Sequence, residues 1–493
     1  MVPTELTSAQ RGTTVVGLGW RVAMVVSALT GLAMRVGVLT SDAGSVNSDE
    51  AVVGLIAKRM LEGEWPAFFW GQHYGGTLEA ALVSAARLLT GTTVVALKLV
   101  PIVLSAVAAV LVWRVGRRLI GERPAQTAAA LFWLGPSAYI WLATRELGFY
   151  WVSLCLGLAL VLSALRLVEN PSRPIEWLWA GLLSGLGWWT SPMILYVAVP
   201  LAVWLVARHR ALLRDAWQAV PTALIGALPW IVHNVGHGLP SLDQPPQPEH
   251  IGYAAGAGRL FWHVLPIVVG LRRVRSEHWL LPLMPSVFAA LAVAFVLALV
   301  WRRRRVPGLL LTFIAVFPVI YVTFPGRWWS GDARYALLLW PFLALVIACL
   351  LTTSARSIAT MLVVALLSVV GVQSIGVTRP PVHLGGDIRQ LHEMGVDHLW
   401  TDYWLAYRLT FESDEEIIAS PTRNVRYTPY VEEIRADPSP AVAYLSDDSR
   451  VEGFRAAAVA SGARFREARS RSLIVFLFDG RLSFEGIPSS VRP

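Results

Sequence analysis

Four clusters of charged and polar residues stand out in an otherwise apolar chain. The first is Ser48-Asp49-Glu50-Ala51, directly after the first long apolar run. The second is Gln72-His73-Tyr74-Gly75-Gly76, with Glu79 just behind it. The third is Thr144-Arg145-Glu146, and the fourth is Asp332-Ala333-Arg334-Tyr335. Charge beside a membrane-length apolar segment is costly unless it has work to do. Carboxylates and arginines meeting at a membrane face suit one kind of chemistry. A carboxylate acts as general base on an acceptor hydroxyl or amine. Arginines hold a departing phosphate. A phosphate carried on a lipid, with its tail between the spans, accounts for a site at the interface rather than in water.

Each cluster also has a plainer reading. Asp49 and Glu50 complement a helix N-terminus equally well. Glu146 suits an ion pair with Arg145 or another arginine. Arg334 suits an interfacial anchor, and His73 a hydrogen-bonded interfacial histidine more than a metal ligand.

The elements that must position these residues follow from composition. Of 493 residues, 55% are hydrophobic and only 15% charged. Soluble domains carry roughly 25% charge. The 22 tryptophans suit aromatic belts at two membrane interfaces. The expected class is a mainly α-helical polytopic membrane protein. The net charge of +9 comes mostly from arginines clustered in short loops. It reads as a topology signal, with no nucleic-acid partner. Cys155 and Cys349 lie in apolar runs and are expected as free thiols, neither a disulfide framework nor a metal site. Met1 to Arg11 lacks the features of a cleaved signal peptide, so the first span is expected to stay as an anchor.

About eleven spans are expected. The first covers residues 17–37, with Arg21 and Arg35 snorkelling at its ends. Ser48 is the expected N-cap of an amphipathic surface helix. Val52, Val53, Ile56 and Met60 form its apolar face, and Lys58, Arg59 and Glu62 its polar face. Residues 78–89 are too short to span and suit a second interfacial or re-entrant helix. Further spans are expected over 94–113, 125–142 and 149–167, then two short helices within 177–207 broken at Thr190-Ser191-Pro192. The rest are 217–232, 281–301, 308–324, 335–351 and 358–372. On this count the arginine clusters share one side, with the N-terminus cytoplasmic and the C-terminus outside.

From about residue 376 the apolar runs shrink to strand length, at 398–401, 416–419, 441–445 and 472–478. Helix-like pieces at 387–394 and 450–461 separate them. The expected division is a membrane unit over 1–375 and an extracytoplasmic α/β domain over 376–493. The stretch from Leu399 to Arg408 is dense in aromatics and charge. It suits either stacking on sugar rings or packing of this domain onto the rest of the chain.

With these features in order, the chain resembles the GT-C superfamily of polyprenyl-phosphate-dependent glycosyltransferases. The branch it resembles most is that of protein O-mannosyltransferases and lipid A aminoarabinose transferases. The resemblance rests on Ser48-Asp49-Glu50-Ala51 after the first span, the two surface helices behind it and the arginine-ended second span. It rests also on Glu146 at the third-to-fourth turn, and on Arg334-Tyr335 opening a late span that holds Pro341. It implies a GT-C-like fold over about residues 15–375 and a sugar transfer from a polyprenyl-phosphate donor to a glycan, lipid or protein acceptor among membrane lipids. By the resemblance, Asp49 is the base with Glu50 in support, and Glu146 is the second acid, where the family usually has Asp. Arg334 lies near the donor phosphate with Tyr335 beside it, and Arg145 assists. His73, Tyr74 and Glu79 line the cavity. No cofactor is strictly required, although some relatives use a divalent cation (Mg or Mn), here between Asp49 and Glu146. A lipid or sugar transporter, and a non-catalytic envelope-assembly protein on the same fold, are the rival readings. A transporter would more often show charges at mid-membrane depth and two symmetric halves.

Overall fold

A computed structural model describes residues 6–243, 251–276, 278–324, 331, 333–375 and 383–493. The chain folds as two compact units. The first holds Met1–Gly44, Pro101–Thr144 and Phe149–Pro380. The second holds Ser45–Val100, Arg145–Gly148 and Pro381–Pro493, so it takes in more of the chain than its C-terminal segment.

The first unit is built of apolar helices. Among the described residues, five helical stretches are long and apolar enough to cross a membrane: Leu18–Leu39, Thr93–Ile120, Tyr150–Glu169, Met284–Arg305 and Ser354–Gln373. Arg210–Gly226 and Leu228–His237 make a sixth if the pair is one span bent by 64°. That bend falls where Pro229 lacks the N–H a continuous helix needs. The other expected spans are helical but shorter: Glu122–Leu134 with Ser137–Leu142, Pro174–Thr190, Leu195–Arg208, Gly308–Thr323 and Trp340–Leu350. Gly135-Pro136 and Ser191-Pro192 interrupt them, and the Ser191 hydroxyl accepts from the Met193 N–H at 3.2 Å.

Two features of this unit depart from expectation or explain it. Arg35 does not snorkel. It is 1% exposed, lies 3.8 Å over the Trp133 ring, and donates to the Gly31 and Trp133 carbonyls. The neighbouring helix offers it a ring and a carbonyl, so the head stays inside. The helix Pro174–Thr190, in turn, meets Val220–Gly226 backbone to backbone. A Cβ at Gly181 would lie 2.0 Å from the Ala219 carbonyl oxygen, and one at Gly185 2.1 Å from that of Ala223. Small residues permit this approach between apolar helices.

The second unit carries a five-stranded sheet: β1 (His398–Trp400), β2 (Ile418–Ser420), β3 (Ala441–Leu445), β4 (Phe465–Arg469) and β5 (Leu473–Phe478). Their order is β2-β1-β3-β5-β4. β1 pairs in parallel with β2 and β3, and β5 pairs antiparallel with β3 and β4. Leu391, Leu399, Leu405, Leu409, Ile417 and Val475 meet in its core. Strand β4 escapes the sequence reading because Phe-Arg-Glu-Ala-Arg has an edge strand's charge rather than a core strand's apolar run. The helices Tyr403–Glu412 and Thr428–Ala436 are also additional.

The helix Ser48–Leu61 belongs to this unit, and two expectations for it are corrected. Its N-cap is Asn47, not Ser48. Its polar face is covered by protein. Lys58 pairs with Asp414 and Glu415, each at 2.8 Å, and Arg59 pairs with Glu415 at 2.5 Å. Gly54 lets the Phe411 ring in, since a Cβ there would lie 2.4 Å from a ring carbon. The C-terminal segment thus supplies counter-charges where water and lipid headgroups were expected.

Gly185→Leu tests the helix contact in the first unit. The obstacle is backbone and cannot swing aside, so we expect a loss of about 1–3 kcal/mol. A lowered thermal midpoint in detergent would show it, and an unchanged midpoint would contradict the close approach.

Candidate functional site

The site begins with the turn that starts the helix Ser48–Leu61. The Glu50 N–H donates to Asn47 Oδ1 at 2.9 Å, and the Asn47 N–H donates to Glu50 Oε2 at 3.3 Å. This reciprocal capping box satisfies two backbone donors. It also fixes the Glu50 carboxylate, which has no exposed surface. Lys98 Nζ reaches Oε1 at 2.5 Å, and Arg145 Nη1 reaches Oε2 at 3.1 Å. The Glu146 N–H adds a longer bond to Oε1 at 3.4 Å. A buried anion needs such company, because desolvation without partners is prohibitive.

Glu146 lies beside this knot, fully buried, in the turn between the helices Ser137–Leu142 and Tyr150–Glu169. Its Oε1 accepts from the Gly148 N–H at 3.1 Å. Burial, followed by the adjacent Glu79 carboxyl, pushes Glu146 well above the usual carboxylate range. Two buried carboxyls in hydrogen-bond contact hold a proton that neither would keep in water.

Asp49 is one residue from Glu50 and about 100° round the helix. It is half-buried, and the Tyr403 phenol donates to its Oδ1 at 2.6 Å. Arg426 Nε donates to the same phenol oxygen at 3.4 Å, and Nη1 donates to Gln72 Oε1 at 3.1 Å. The Arg426 guanidinium lies 5.6 Å over Phe69 and 5.4 Å over Tyr403. Gly71 makes this docking feasible. It has φ +69°, and a Cβ there would lie 2.7 Å from the Val425 carbonyl oxygen. His73 and Tyr74 are exposed on the same turn.

Seven expected residues therefore fall in one unit: Asp49, Glu50, His73, Tyr74, Glu79, Arg145 and Glu146. Arg334 and Tyr335 belong to the other. There Arg334 opens a short 3-10 turn with its guanidinium 5.8 Å over Tyr150, and Tyr335 packs against Tyr150 and Phe324. Asp332 lies outside the described residues. Among the described residues, no group of three or more His, Cys, Asp or Glu side chains could hold a metal ion.

Three participants were not foreseen. Lys98 had a signal, being a lone lysine inside a long apolar helix. Tyr403 stood in the aromatic stretch singled out above but carried no assignment. Arg426 had no local signal, since its partners are far away in sequence.

Residues 78–234 match the sequence profile of the family described as dolichyl-phosphate-mannose-protein mannosyltransferase. No curated protein sequence matches the chain. Among solved structures, the chain is similar to ArnT from Cupriavidus metallidurans in the apo state. The TM-score is 0.67 at 14% identity, covering 94% of this chain and 98% of that one. For ArnT bound to undecaprenyl phosphate the TM-score is 0.60 at 14% identity, over 96% and 99%. For the archaeal oligosaccharyltransferase AglB from Archaeoglobus fulgidus, in complex with an inhibitory peptide and a dolichol-phosphate, it is 0.55 at 12% identity, over 95% and 75%. The chain has the fold that these proteins share.

Two variants probe the buried groups. Glu50→Ala strands Lys98 and Arg145 without their anion. We expect a loss of about 3–5 kcal/mol, seen as a marked fall in the thermal midpoint. Glu146 acts through pH. Between the ordinary carboxylate range and its raised value, the folded chain holds a proton the unfolded chain has released. Stability therefore falls as pH rises through that window. Glu146→Gln is neutral throughout, so it should flatten that decline in a series of melting curves. An unaltered slope would contradict the shared proton.

Proposed function

We propose that the protein is an integral-membrane glycosyltransferase that moves a sugar from a polyprenyl phosphate to an extracytoplasmic acceptor. The observation that carries this reading is the fold, which matches ArnT over nearly the whole of both chains. The relatives add the donor class, since one ArnT structure holds undecaprenyl phosphate and the AglB structure holds a dolichol-phosphate. We also propose the eleven-span topology, with the N-terminus cytoplasmic. The arginines at 114–123, 208–214 and 302–305, together with Arg356, support it by falling on one side of that count.

In the mechanism we propose, an acceptor hydroxyl attacks the anomeric carbon in a single displacement with inversion. Asp49 takes the hydroxyl proton as the new C–O bond forms. The bond to the phosphate oxygen breaks, and the phosphate leaves with the electron pair. That leaving group is already a good one, so no step is routed through a cation. Asp49 is the suited base because it is half-buried rather than sealed in. Glu50 and Glu146 act from behind, through the residues they hold. Arg145 serves the Glu50 anchor first. Arg334 is the phosphate-binding cation that the resemblance assigns. His73, Tyr74 and Glu79 line the acceptor side, Glu79 through its contact with Glu146.

The test is transfer by the purified protein in vesicles, following release of polyprenyl phosphate from a polyprenyl-monophosphoryl sugar. Asp49→Asn should lower turnover by about 10²–10⁴-fold with the thermal midpoint kept. Full turnover by this variant would sink the assignment of the base.

A further inference from the structure

Tyr403 holds the one carboxylate to which the reaction has been assigned, and it comes from the C-terminal segment rather than the membrane helices. It opens the helix Tyr403–Glu412, whose N-cap Asp402 accepts from the Trp404 N–H at 2.8 Å. Its ring is braced by Trp404 at 5.2 Å and Tyr407 at 5.6 Å, both edge-on, and by the Arg426 guanidinium. Arg426 is itself tied to Gln72 and Phe69. The phenol therefore cannot leave Asp49 without disturbing both the helix start and the glycine turn.

We propose that Tyr403 is a positioning residue for the transfer: its phenol fixes the plane of the Asp49 carboxylate, and Arg426 fixes the phenol. This rests on the reading of Asp49 as the base. A carboxylate held at one oxygen presents its lone pairs in a defined direction, which is what an in-line attack by an acceptor hydroxyl needs. The acceptor proton passes to Asp49, and Tyr403 keeps its own proton throughout. Burial, and then the charge of Asp49, hold the Tyr403 phenol above the usual tyrosine range, so it stays a donor. Among the described residues, the charged and titratable groups gathered here include Tyr403 and Arg426 from the C-terminal segment, with Tyr74 near Arg426. Glu50, on the same helix as Asp49, is occupied by Lys98 and Arg145.

Tyr403→Phe removes only the hydroxyl and keeps the ring. In the vesicle assay, with a polyprenyl-monophosphoryl hexose as donor, kcat should fall by about 10- to 100-fold while the donor KM is kept. A second readout needs no turnover. Labelling of Asp49 by a water-soluble carbodiimide at one fixed pH, mapped by mass spectrometry, should speed up once the phenol no longer covers Oδ1. Arg426→Gln should produce the same two changes to a smaller extent. Wild-type kcat in Tyr403→Phe would overturn the proposal. So would a fall in kcat with the labelling rate unchanged, since ring packing alone would explain it. Full turnover by Asp49→Asn would instead refute the base assignment, and the labelling would still report on the Tyr403–Asp49 bond by itself.

Discussion

The second unit depends on one buried carboxylate. Glu50 ends a capping box, receives an ammonium and a guanidinium, and takes a longer bond from the Glu146 backbone. These donors come from three separated stretches of chain. An anion without exposed surface imposes a strict geometry, because any misfit leaves charge unpaired in low dielectric. The same anion sets the helix on which Asp49 sits, so the direction of the one half-buried acid is inherited from the fully buried one.

Adjacent positions on that helix thus have opposite fates. Glu50 points inward and is saturated with cations. Asp49 points toward the C-terminal segment and meets a neutral phenol. Glu146 and Glu79 form a third state, two acids beside one another with a retained proton. Four carboxyls in one neighbourhood are kept chemically distinct by their partners rather than by their own side chains.

Much of this was legible in the sequence. Apolar length and low charge marked the helical membrane class, and the polar clusters marked Glu50, Glu79, Arg145 and Glu146, which the fold brings together. Strand-length runs marked most of the C-terminal sheet. What stayed hidden was long-range. The cap belongs to Asn47 because a reciprocal bond with Glu50 decides it, and Ser48 looked equally fit by type. Lys58 and Arg59 resembled a solvated face until Asp414 and Glu415 arrived from far along the chain. Arg35 resembled a snorkelling end residue until Trp133 offered its ring. A charge reveals that it needs a partner, and only the fold reveals which one.

The make-up of the second unit has a consequence for synthesis. Its first piece emerges long before its last, and Lys58 waits for Asp414 across 356 residues of chain. Loop closure over that distance is slow and entropically costly. During that interval the helix that bears Asp49 has its apolar groove at Gly54 open and its cations unmatched. The helix that bears Asp49 therefore completes its ion pairs and its bond to the phenol only when residues 403–415 have been made.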